Sequence, residues 1–174
     1  MSYRERIGKI EANQNRIISG FIPLWNPLEV NGQFYESFSR TAFDGVDLSR
    51  TYLALNHDVN FAVGSVKSGT LKIDFKDDGL HWSSDVIEGA DGDKVLNQVR
   101  SGVASECSLK YLPDHSSVAR TTHKGKPYFK IGKVKQLADL APCVVGAYGV
   151  FSSTRSSIFF NRRRADALLN LLLL

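Results

Sequence analysis

Ser68-Gly69-Thr70-Leu71-Lys72-Ile73-Asp74-Phe75-Lys76-Asp77-Asp78-Gly79-Leu80-His81-Trp82-Ser83-Ser84-Asp85-Val86 decides the fold class. From Thr70 to Phe75 the polar and apolar residues alternate strictly. A period of two places successive side chains on opposite faces of a half-buried strand. Ser68-Gly69 and Asp77-Asp78-Gly79 are turn signals, because glycine adopts the positive φ that tight reversals need. Leu80–Val86 follows as a second strand. Strands separated by so few residues pair antiparallel, so this chain builds sheet by local reversal.

The same pattern extends outward. Arg16–Leu24 (Arg-Ile-Ile-Ser-Gly-Phe-Ile-Pro-Leu) is β-branched and aromatic, and Pro23 and Pro27 close it. Asn31-Gly32 is a hairpin dipeptide and precedes Phe34–Phe38. Thr51–Leu55, Phe61–Val66, Val103–Leu112, Tyr128–Val134, Leu137–Leu140 and Val144–Val150 read as further strands. Pro113–Lys126 is polar and reads as a long exposed loop. One helix stands out: Asp91 or Asp93 caps it, Val95, Leu96 and Val99 share one side, and Gly102 ends it. Many short strands with one or two helices predict a mostly β, α+β fold with an antiparallel barrel or sandwich core.

At 174 residues the chain is the size of one domain, and 43% hydrophobic with 23% charged residues is an ordinary soluble balance. Its net charge of +4 owes much to Arg155 and Arg162–Arg164. That bias argues for a tail that meets something acidic rather than for a nucleic-acid-binding face. We therefore divide the chain into a domain over residues 1–160 and a basic, leucine-rich tail over 161–174. The tail is either a docking or processed segment or a frayed terminus. Cys107 and Cys143 lack CxxC spacing and sit in apolar stretches, so two buried free thiols are expected. The first residues lack the apolar run of a signal peptide, and no segment approaches a membrane span, which points to an intracellular chain without membrane contact. No phosphate-binding loop, dinucleotide fingerprint or His-Glu-x-x-His occurs, and no cofactor is expected. A metal site would need His57, Asp58, Cys107 and Cys143 to converge, and no two of these have ligand spacing.

What remains is a serine and a histidine. In Ala104–Leu112 (Ala-Ser-Glu-Cys-Ser-Leu-Lys-Tyr-Leu) strand periodicity puts Cys107, Leu109 and Tyr111 on an apolar face. Ser108 then points to solvent or a cleft. His57 ends the apolar run Tyr52-Leu53-Ala54-Leu55. A hydroxyl is a weak nucleophile until a base takes its proton, and a histidine supplies that base. Asp139, a carboxylate in the apolar segment Gln136–Ala141, needs a partner and suits a third member that orients the ring. Asp58 adjoins the histidine and Glu106 shares the serine's strand, so both are weaker orienters. His81 falls on the solvent side of its strand, and His115 and His123 lie in the polar segment. Each residue also has a plainer role: an exposed strand serine, a turn histidine capped by Asp58, a hydrogen-bonded turn aspartate.

These residues lie within blocks that resemble the prohead proteases of tailed phages, capsid-maturation serine proteases similar in fold to herpesvirus assemblin. The resemblance runs from about Asn15 to Phe151. Arg16-Ile-Ile-Ser-Gly-Phe-Ile-Pro-Leu resembles the family's opening strand, and Phe34-Tyr-Glu-Ser-Phe-Ser-Arg-Thr-Ala-Phe-Asp44 its F-x-E-x-F-x-x-x-A-F-D segment. Leu55-Asn-His57-Asp58, Val63-Gly64, Ser68-Gly-Thr-Leu71 and Asp77-Asp-Gly-Leu80 resemble its core. Val99-Arg-Ser-Gly102 and the strand through Ser108 resemble its nucleophile region.

The resemblance implies a serine endopeptidase, with His57 on the family's catalytic histidine and Ser108 on its nucleophile. Asp139 stands in the segment where the family usually shows Glu-Val-Ser. Ser-Glu-Cys-Ser-Leu-Lys-Tyr replaces the Gly-Met-Ser-x-Gly-Phe common in relatives, which leaves less room beside Ser108. Implied partners are scaffold and the major capsid protein as substrates, cut within the assembling prohead in the host cytoplasm, with self-cleavage at the end; related folds often form homo-oligomers. Two rivals differ in class. One is a catalytically inactive scaffold- or capsid-binding module of the same fold. The other is a basic β-barrel that binds nucleic acid, which would need basic and aromatic residues interleaved on one face.

Overall fold

The computed structural model describes residues 4–12, 15–30 and 32–144. In chain order these give β1 (Arg4–Ala12), β2 (Ile17–Pro23), β3 (Leu28–Val30), β4 (Phe34–Phe38), β5 (Tyr52–Ala54), β6 (Ala62–Ser65), β7 (Leu71–Lys76), β8 (Gly79–Asp85), α1 (Ala90–Arg100), β9 (Glu106–Pro113), β10 (Val118–His123), β11 (Lys126–Ile131) and β12 (Val134–Cys143). The hairpin expected from the alternation is present, with Ile73 opposite Trp82 and Phe75 opposite Leu80.

Eight strands form one sheet in the order β6-β5-β12-β9-β1-β2-β8-β7, and four form another, β10-β11-β4-β3. The fold is thus mostly β with one α-helix among the described residues. The larger sheet ends in two edges, β6 and β7, rather than closing into a barrel. Pairing is antiparallel except for β5 on β12 and β4 on β11, which run parallel.

One face of the large sheet carries the core. Ile18, Ile22, Leu53, Leu80, Cys107, Leu109, Tyr111, Leu137 and Leu140 are fully buried there, and Val95, Leu96 and Val99 of α1 pack onto the same cluster. Trp82 joins it only because its partner across β2 is Gly20, where a Cβ would overlap the indole ring. The small sheet is fastened through Tyr111, whose hydroxyl donates to the buried Glu36 carboxylate at 2.6 Å and whose ring meets Phe38 edge-on at 4.9 Å.

Several expectations change. The segment 113–126 is not a loop: it holds a short turn at His115–Ser117 and then β10, hairpinned to β11 through Lys124-Gly125, both at positive φ. Four of the six β10 residues are exposed, and an edge strand with both faces wet shows no alternation. The segment 134–143 is one continuous strand. The helix is capped by Gly89 backbone, and neither Asp91 nor Asp93 caps it; Asp93 instead pairs with Arg16 at 2.6 Å. β1 was not anticipated, because its apolar residues are too sparse to mark a strand. Both cysteines are free and buried, as expected. Residues 145–150, expected as a strand, and the tail from 161 fall outside the described residues.

Candidate active site

β9 carries the hydroxyl. Cys107, Leu109 and Tyr111 sit in the core, so alternation turns Ser108 and Lys110 to the sheet's other face. Ser108 does not meet solvent there, contrary to expectation: it is 0% exposed, because this face too is covered at that point. Its Oγ makes no hydrogen bond within the described chain. Leaving such a group unsatisfied costs about 1–3 kcal/mol, and a native fold that does so calls for a reason, catalytic use among them.

β12 carries the carboxylate. It lies between β9 and β5, with Asp139 opposite Lys110 and Ala141 opposite Ser108. Directly opposed residues share a face. Ser108 and Asp139 are therefore diagonal neighbours on that face, with Cα atoms about 8 Å apart. Asp139 is fully buried, where an ionised carboxylate is costly unless paired.

β5 delivers the partner. It runs parallel to β12, with Tyr52 beside Asp139 and Leu53 beside Leu140, and leads directly into the turn Leu55–His57. Asn56 and His57 both take positive φ, 52° and 60°. Asparagine tolerates that region, whereas histidine there costs about 1 kcal/mol. The double left-handed step brings the imidazole to the aspartate: His57 Nδ1 is in short hydrogen-bond contact with Asp139 Oδ1. The His57 side chain is 9% exposed and that of Asp139 0%, so the pair sits in a low-dielectric pocket. An Nδ1–H donated to the carboxylate fixes the tautomer whose Nε2 is basic.

The other candidates lie elsewhere. Asp58 is engaged by the next turn, its Oδ1 accepting from the Asn60 backbone N–H at 3.0 Å. Glu106 begins β9 opposite Cys143. His81, on β8, bonds Asp78 at 2.8 Å; His123 stacks edge-on against Tyr35 at 4.7 Å; His115 occupies its own turn. The Cys107 and Cys143 thiols donate to the carbonyls of Phe21 and Ala141. Among the described residues no group of three or more His, Cys, Asp or Glu could hold a metal ion.

One residue escaped the sequence reading. The Asn56 side chain accepts a hydrogen bond from the Val144 backbone N–H at 3.1 Å, tying the histidine-bearing turn to the end of the aspartate-bearing strand. An Asn directly before the candidate histidine was the available signal.

Comparison with known proteins shows the family of the chain. One solved structure, described as the bacteriophage T4 capsid assembly protease gp21, aligns with 14% identity and a TM-score of 0.44, covering 80% of this chain and 97% of that one. No curated protein matches. The family model for caudovirus prohead serine protease matches residues 3–161, nearly the full length and wider than the 15–151 span of the resemblance. The chain belongs to the caudovirus prohead serine protease family.

Proposed function

We propose that Ser108, His57 and Asp139 form the catalytic unit of this serine protease. The observation that supports it best is the His57–Asp139 contact on the sheet face where Ser108 is the diagonal neighbour of Asp139. His57 Nε2 takes the proton from Ser108 Oγ as Oγ bonds the scissile carbonyl carbon. The proton then passes to the leaving amine as the C–N bond breaks, and water repeats the cycle to release the acyl group. Asp139 holds the ring and stabilises the imidazolium. Its side chain is one methylene shorter than glutamate, and the double left-handed step at Asn56-His57 brings the ring down to it.

The substrates we infer are scaffold protein and the scaffolding segment of the major capsid protein, cut inside the prohead, with self-cleavage closing the sequence of events. Because Ser108 is 0% exposed, the chain that covers it must shift before a substrate carbonyl reaches Oγ.

The test is co-expression with the neighbouring capsid and scaffold genes, followed by intact-mass measurement. The wild-type chain should shorten capsid protein or scaffold, and S108A should leave both at full length. Equal processing with S108A, or none with either, would instead favour the non-catalytic binding module.

A further inference from the structure

We infer that Asn56 is the positioning residue for His57: its side chain clamps the Leu55–His57 turn to the end of β12. This inference rests on the proposed role of His57. Two consecutive residues of one turn reach β12 at different points. Asn56 Oδ1 takes the Val144 backbone N–H at 3.1 Å, and His57 Nδ1 meets Asp139 Oδ1. Those two points are five residues apart, and Val144 directly follows the last residue of β12, Cys143. The two side chains leave a turn in which both residues adopt left-handed backbone, φ 52° and 60°.

The clamp has a mechanical reason to exist. The turn is a single short 3₁₀ segment that lacks a side-chain cap at its N-terminus, and its closing bond is the Asp58 N–H to the Leu55 carbonyl at 3.0 Å. β5, which precedes it, is three residues long. Left to itself, so short an element would hold an imidazole loosely, and a misplacement of about 1 Å can cost about 100-fold in rate. Asn56 provides a second point of attachment on the strand that carries Asp139, so ring and carboxylate move as one body. Asparagine meets both demands, as a left-handed residue and as a carbonyl acceptor.

Three variants separate these demands. N56G keeps the backbone freedom and removes the acceptor. N56D keeps both. V144P removes the donor from the opposite side and leaves the turn sequence intact. The first readout is the downfield proton NMR signal of His57 Nδ1–H in the full chain, assigned by its loss in H57Q; it reports the contact with Asp139 and needs no substrate. The second is the rate at which a fluorophosphonate labels Ser108. The signal should broaden or vanish in N56G and V144P and persist in N56D, with labelling slowed by up to about 100-fold in the first two and within about threefold of wild type in the third. N56G and V144P combined should lose no more than either alone, since they delete one contact. An unchanged Nδ1–H signal in both N56G and V144P overturns the inference, as does a loss in N56D equal to that in N56G. Failure of the catalytic assignment itself looks different: H57Q would label as fast as wild type whatever happens at position 56.

Discussion

His57 Nδ1 is hydrogen-bonded to Asp139 Oδ1 although 82 residues of sequence separate them. The contact exists because β5 lies parallel to β12, so the chain leaving β5 has only a short turn in which to deliver a side chain back over its neighbour. Ser108 reaches the same region from the other side of β12, along β9. Two neighbouring strands, β9 and β12, and the turn that follows a third, β5, each contribute one group.

If Asp139 orients His57, then D139N, which keeps the shape and loses the charge, should lower turnover by up to about 10⁴-fold, as in other triads. Progress curves on processed capsid protein would measure it. A loss under about tenfold would remove Asp139 from the mechanism.

Gly20 is a packing position and not a functional one. G20A places a methyl group inside the space of the Trp82 ring, and overpacking of this kind costs about 1–3 kcal/mol. Urea denaturation should show the lowered midpoint, with cleavage per folded molecule unchanged. A wild-type midpoint would mean the ring has room to move.

A pH dependence follows from Glu29, whose carboxyl is held below its ordinary value by the hydrogen bond from Lys126. A depressed folded-state pKa contributes stability above the unfolded value, and that stability is lost as pH falls through the folded value. E29Q should therefore be less stable than wild type at neutral pH, and the difference should fade as pH drops below the ordinary glutamate range, about 4. Chemical denaturation at several pH values tests the sign; a difference that grows in acid contradicts it.

The tail 161–174, with Arg162–Arg164 and four terminal leucines, is proposed to be a packaging or self-processing segment. Deleting it should change incorporation into proheads or the mass of the mature chain. If neither changes, the tail has no part in maturation.

Much of this architecture was written in the sequence, but unevenly. The β7–β8 hairpin was legible because Leu71, Ile73 and Phe75 alternate with charged residues between two glycine turns. Asp139 was legible because a carboxylate among Leu137, Ala138, Leu140 and Ala141 demands a partner. β10 was not, since Arg120, Thr121 and Thr122 face water on an edge strand and follow only the register of β11. Nor were the two parallel pairings, which depend on long-range contacts rather than turn signals. The burial of Ser108 escaped for a related reason: alternation says which face a residue occupies, and only the tertiary fold says whether that face is covered.

The most direct test is covalent labelling of the full chain with a fluorophosphonate, located by peptide mass spectrometry. A single adduct on the peptide containing Ser108 is expected, absent in S108A and formed at least about 100-fold more slowly in H57A. An adduct at another serine, or H57A labelling at the wild-type rate, would contradict the assignment of this hydroxyl and imidazole to one catalytic unit.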